Sequence, residues 1–222
     1  MLLAIDTSTR QIGIALYDGT IVLAESIWLS QDYHTVELAP AVEGILKRAR
    51  IQISNLKALG VATGPGSFTG LRIGLALAKG MALACRLPIF GVPSLDITAY
   101  SQPIQDIPLA AVLSAGRQRL AVGWYQAKEN AWVSAGIVEV MDAHSLAERI
   151  QQPTLICGEL SEEDRRTLGR RYRNVRMASP ARSLRRPSFL AEIAWKRYLT
   201  GKPDDPATLA PTYLHIGEPI PG

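Results

Sequence analysis

Apolar residues fall along the chain in short runs separated by polar turns. Leu2–Asp6, Ile12–Tyr17 and Ile21–Trp28 are strand-like, and Asp18-Gly19, between the second and third, has the chemistry of a two-residue hairpin turn. The period then lengthens. Over Val36–Ala49 the residues Leu38, Val42, Ile45, Leu46 and Ala49 recur at helical spacing, and Pro40 falls close enough to the first turn to be tolerated. Strand Leu59–Thr63, a glycine-rich loop, helix Leu71–Cys85, strand Pro88–Val92 and a short helix capped by Ser94 follow.

The same order then returns. Strands Leu109–Ser114, Leu120–Gln126 and Trp132–Val140 precede a helix starting near Asp142, strand Thr154–Cys157, helix Ser161–Arg171, strand Val175–Ala178 and helix Ser188–Thr200, which Gly201 can stop. Both halves read βββαβαβα without residue-level identity, which predicts an α/β protein of two duplicated lobes. In such sheets the ligand crevice lies at the carboxyl ends of the strands, here between the lobes. The polar, proline-containing stretch 100–108 sets the boundary, giving an N-terminal lobe over 1–100 and a C-terminal lobe over 101–222, with residues 201–211 irregular and the last segment able to pack back on the first lobe.

Composition adds limits. A chain of 222 residues with 47% hydrophobic residues can bury about 70–75% of its unfolded surface without help from metal or disulfides. Its two cysteines, Cys85 and Cys157, lack zinc or disulfide spacing. The start MLLAIDTST has no basic leader, and no apolar run reaches the ~20 residues of a bilayer span. A cytoplasmic location without membrane contact is expected. Net charge is +4 but uneven: Arg165–Lys202 holds twelve basic residues and one acid, Glu192. That segment reads as a polyanion contact or as a solvated face.

Two stretches carry candidate chemistry. Asp6-Thr7-Ser8-Thr9, where the first strand ends, offers a carboxylate, hydroxyls and backbone donors, suited to a nucleotide phosphate and its Mg²⁺ or to satisfying a local turn. In GPGSFTGLRIG, Gly64 and Gly66 allow positive φ around Pro65, and Ser67 or Thr69 can cap the next helix. The run matches neither GxxxxGK[ST] nor GxGxxG. Gly70, Gly74, Ala78 and Ala82 recur every four residues, a ladder open to close backbone approach. This favours a corner that aims a contact helix over a phosphate cradle.

The stretches LLAIDTST with IGIALYDG, YHTVELAP, LGVATGPGSFTGLRIGLALAKGMALA with IFGVPSLD, and the late APTYL resemble the TsaB (YeaZ) family, partner subunits in bacterial tRNA threonylcarbamoyladenosine synthesis. The resemblance is dense over 1–100, thin over 101–205, and returns only in the last motif. It implies an actin-like/Hsp70-like (ribonuclease H-like) ATPase fold, and partnership with the catalytic paralogue TsaD and the ATPase TsaE. TsaD moves a threonylcarbamoyl group onto the adenosine beside the anticodon. The resemblance also implies that the helices Val36–Ala49 and Leu71–Cys85 form homodimer or heterodimer contacts, with His34, Leu38, Val42, Gly70, Leu71, Gly74, Leu75, Ala78 and Ala82 as interface candidates. A homodimer when alone, and tRNA contact through the complex, follow from it.

Departures from the catalytic paralogue matter as much. Its metal site resembles HxxxH, whereas His34 here is followed at i+4 by Leu38, so no metal site is expected. Where related proteins show an acidic turn after the first strand of the second half, this chain has Ser114-Ala115-Gly116-Arg117. Asp6 then stands without a second crevice carboxylate, too few groups for phosphoryl chemistry. The expectation is a non-catalytic scaffold subunit that needs no cofactor, with ATP or ADP at most at a vestigial or shared site formed by Asp6, Ser8, Thr9, Gly64 and Gly66. The rivals are a self-sufficient ATPase or metallopeptidase-like enzyme, and an RNA-binding module acting through Arg165–Lys202.

Overall fold

The computed structural model describes residues 1–31, 34–170 and 173–214, with His34 described by its backbone alone. The first half runs β1 (Leu2–Asp6), β2 (Gln11–Tyr17), β3 (Val22–Leu29), α1 (His34–Ala49), β4 (Ala58–Gly64), α2 (Phe68–Cys85), β5 (Ile89–Pro93) and α3 (Ser94–Tyr100). The second runs β6 (Leu109–Ser114), β7 (Leu120–Lys128), β8 (Ala131–Ser134), β9 (Glu139–Met141), α4 (Ala143–Arg149), β10 (Thr154–Gly158), α5 (Glu162–Gly169), β11 (Val175–Met177) and α6 (Pro187–Leu199).

The strands form two mixed sheets, ordered β3-β2-β1-β4-β5 and β8-β7-β6-β10-β11, with β9 also paired to β7. Position for position the orders correspond, so the repeat seen in the apolar pattern is realised in topology. β1 pairs antiparallel with β2 and parallel with β4, fixing Ile5 opposite both Ile14 and Val61. Two local expectations change. Tyr17 pairs with Val22, so the first hairpin is a four-residue loop in which the Asp18 carboxylate accepts from the Thr20 and Ile21 amides, each at 2.7 Å. The single strand expected over Trp132–Val140 breaks into β8 and β9, which pair with different stretches of β7.

Each sheet is covered on both faces, and alternation along the strands assigns them. Leu3 and Ile5 meet Leu38, Val42, Leu75 and Ala78 of α1 and α2, whereas Leu2 and Ala4 meet Leu190, Ala191 and Ala194 of α6. In the second sheet Ala110 and Val112 face α4 and α5, while Leu109, Ala111 and Leu113 face Leu95 and Ala99 of α3. The final helices of the two halves are therefore exchanged. α6 belongs to the core of the first sheet and α3 to that of the second, which crosses the simple 1–100 and 101–222 division.

α2 corrects a larger expectation. Ser67 caps it, its Oγ accepting from the Gly70 amide at 3.2 Å. The ladder Gly70, Gly74, Ala78 and Ala82 is buried, together with Leu71 and Leu75, against its own domain. A Cβ on Gly66 would strike the Ser8 carbonyl, one on Gly70 the Thr7 carbonyl, and one on Gly74 the Thr7 hydroxyl. The small residues let α2 lie against the turn after β1, and the Ser67 amide donates to the Ser8 carbonyl at 2.6 Å. They are not an open partner surface; Leu38 and Val42 are likewise core residues. α2, at 18 residues, is by length and composition apolar enough to cross a bilayer, but its inner face is spent on the sheet.

Candidate functional site

The carboxyl ends of β1 and β10 face each other across the lobes, and a buried polar network joins them. Asp6 Oδ1 accepts from the Ser8 amide at 2.9 Å and from the Ser8 hydroxyl, while Asp6 Oδ2 accepts from Arg185 Nε at 2.5 Å. Arg185 Nη1 donates to Glu159 Oε1 at 2.9 Å and its Nη2 to Thr9 Oγ1 at 2.9 Å; Thr9 Oγ1 in turn donates to Glu159 Oε1 at 2.6 Å. Ser94 Oγ, at the start of α3, donates to Ser8 Oγ at 2.8 Å. Asp6 and Arg185 are 1% and 2% exposed. Burial opposes the charge on Arg185, but the Asp6 and Glu159 carboxylates outweigh it and hold the guanidinium pKa above its ordinary value.

Glu159 supplies the second crevice carboxylate that the Ser114–Arg117 turn lacks. It follows Gly158 at the carboxyl end of β10, a position where crevice residues belong. Arg185 had no such signal, since it lay among the arginines read as one charged segment. That segment is divided by the fold: Arg186 binds Glu25, Arg197 binds Asp204, Arg166 binds Glu162 and Lys196 donates to the Tyr100 hydroxyl. Arg170, Arg173, Arg176 and Arg182 are exposed; Arg171 lies outside the described residues.

Beside the network lies a cavity of about 1210 Å³. Its wall includes Thr9, Arg10, Gln11, Gly66 and Phe68 from the first half, Ser114–Gly116, Glu159 and Arg165 from the second, and Tyr213. Asp6, Ser8 and Gly64 do not reach it. Gly64, at φ +105°, packs on the Thr212 carbonyl and Leu71. A nucleotide phosphate with Mg²⁺ would need an accessible carboxylate, and both oxygens of Asp6 are engaged within the chain. Asp6 therefore does not fit that group, and Ser8 and Gly64 lie off the cavity, whereas Gly66 stands on its wall. Thr9 reaches the cavity wall, but its hydroxyl serves the network.

A second small-residue ladder runs on the opposite side of α2, where Ala76, Gly80 and Ala84 are exposed. Leu83 beside them is 70% exposed, half-buried Ile73 and Leu77 flank them, and nothing lies within 4 Å of a Cβ placed on Gly80. Sequence periodicity found the inner ladder and missed this one. The side chain of His34, expected at an interface, lies outside the described residues.

Comparison with known proteins agrees with the duplicated fold. The family model described as TsaD, tRNA N6-adenosine threonylcarbamoyltransferase, matches residues 26–156. The chain is 39% identical over 127 residues to the tRNA threonylcarbamoyladenosine biosynthesis protein TsaB of Bacillus subtilis, covering 57% of this chain and 56% of that protein. It is 36% identical over 156 residues to TsaB of Escherichia coli, covering 68% and 66%. The matched regions thus span between half and two thirds of these curated relatives. Among solved structures, YeaZ from Pseudomonas aeruginosa superposes with a TM-score of 0.74 at 24% identity, covering 96% of this chain and 99% of that one. The ROK hexokinase of Thermus thermophilus, at a TM-score of 0.53, 12% identity and coverage of 90% and 99%, shares the fold alone, that of actin-like ATPases. From its motifs, its duplicated topology and these matches, the chain belongs to the TsaB (YeaZ) family.

Proposed function

We propose that this chain is a non-catalytic subunit of tRNA threonylcarbamoyladenosine synthesis in the cytoplasm, holding a TsaD-like catalytic paralogue active by docking on it, with a TsaE-like ATPase as a further component. The names of its relatives support the pathway. One observation carries the division of labour: the crevice carboxylate is neutralised by Arg185 while the outer face of α2 is apolar and uncovered. Ala76, Gly80 and Ala84 offer the spacing at which another helix can approach closely, and Leu83, 70% exposed, gives it an apolar contact. The same face serves a homodimer when the chain is alone. A self-sufficient ATPase finds no accessible Asp6 to work with.

The test is reconstitution of tRNA modification from purified components with Ala76→Arg and Leu83→Glu, both on exposed positions. The variants should keep the far-ultraviolet circular dichroism of the parent, fail to co-elute with the paralogue and lose modification by at least about tenfold. Full modification by a mixture containing either folded variant would refute docking through this face.

A further inference from the structure

The mouth of the cavity holds a group that docking through α2 does not use. Phe68, the first residue of α2, is 53% exposed, and Tyr213 is 36% exposed. Their ring centroids lie 4.9 Å apart at a 32° tilt. Arg72, one turn along α2, lays its guanidinium 3.7 Å from the Phe68 centroid and donates from Nε to the Tyr213 hydroxyl at 2.8 Å. The Thr212 amide, donating to the Thr63 carbonyl at 2.7 Å, delivers Tyr213 to the end of β4. Both rings line the cavity. On the same wall, Gln11 Oε1 and Ser183 Oγ are buried with no hydrogen-bond partner, Ser183 being 7% exposed.

A stack that served only to pin residues 212–214 to α2 would gain most by covering its rings. These rings stay open beside a guanidinium and unspent polar atoms. Single-stranded nucleic acid is recognised by that combination: the base face stacks on aromatic and guanidinium planes, and its edge meets polar atoms. The cavity exceeds the roughly 300–1,000 Å³ of small-molecule pockets, which leaves room for a sugar and phosphate as well as a base. Charge agrees. The Arg72 guanidinium stands at the mouth, and the acids on the wall are engaged within the chain, Glu159 by Arg185 and Asp164 by the Ser161 cap.

We propose that Phe68, Tyr213 and Arg72 form a platform for an unpaired base of an RNA loop, with the base edge turned toward Gln11 and Ser183. The choice of RNA rests on the proposed role in tRNA modification; the stacking chemistry does not depend on docking through α2. The 222-residue chain is titrated against an RNA hairpin carrying 2-aminopurine in its single-stranded loop. Fluorescence should be quenched on binding, and Tyr213→Ala and Phe68→Ala should each weaken binding roughly 5- to 150-fold, the range for one stacked base. Tyr213→Trp should retain it, and a blunt duplex of the same stem should bind more weakly.

Four results would overturn the platform: wild-type affinity in both folded alanine variants, a blunt duplex binding as tightly as the hairpin, free AMP matching the hairpin, or no quenching up to about 100 µM, the weak end of non-specific binding. Free AMP matching the hairpin would mean that the site takes a mononucleotide. The Leu83→Glu chain, made to test docking, should bind the hairpin like the parent, so either proposal can fail alone.

Discussion

Replacing Arg185 with Met removes the cation from a network spanning both lobes while keeping much of the side-chain volume. Asp6, with a side chain 2% exposed, is then left charged with no cation and no route to water. Glu159, at 26%, can rehydrate from the cavity. Removing one partner of a buried ion pair costs about 3–5 kcal/mol, most of it the penalty on the charge left behind. For a chain of this length each kcal/mol is about 2–4 °C, so a drop in Tm of roughly 6–20 °C is expected.

Urea melts followed by circular dichroism give the free energy, and a cycle with Asp6→Asn isolates the pair. If the stranded carboxylate is the cause, adding Asp6→Asn to Arg185→Met should recover part of the loss. Glu159→Gln alone should cost less than Arg185→Met. An Arg185→Met chain within about 1 kcal/mol of the parent, below the cost of a stranded buried charge, or a double variant less stable than Arg185→Met, would refute the account.

Two further outcomes follow from the packing. Gly74→Ala should destabilise by about 1–3 kcal/mol, because its methyl would displace the Thr7 hydroxyl that donates to the Gly70 carbonyl at 2.7 Å. Gly80→Ala, on the open face, should stabilise the isolated chain by about 0.5–1 kcal/mol; chemical melts of the two variants decide whether inner and outer ladders are assigned correctly. Burial raises the pKa of Asp96 above 3.8, only partly offset by the Tyr125 hydroxyl at 2.7 Å, so its proton is held more tightly in the folded chain and its contribution to stability falls as pH rises through the folded pKa. Asp96→Asn should therefore stabilise the chain relative to the parent at pH 7, and this advantage should vanish below pH 3.8 in paired urea melts.

The fold could be read from the sequence because its elements declare themselves locally. LLAID is apolar at every position before Asp6, as a strand covered on both faces must be, and the order of strand and helix periods repeats in the second half. α2 shows where that reading stops. Gly70 and Gly74 recur with the same spacing as Ala76 and Gly80, and the period alone does not say which side of the helix meets the sheet; the turn at Thr7 and Ser8 settles it. Arg185 shows the same limit for charge. In sequence it is one of twelve basic residues between Arg165 and Lys202, 179 positions from Asp6. Its neighbour Arg186 stays at the surface with Glu25. What separates the two is the crossing of the chain from the second sheet to α6, which packs on the first: Arg185 must pass between the lobes on that path, and a guanidinium there can remain charged because carboxylates from both lobes surround it.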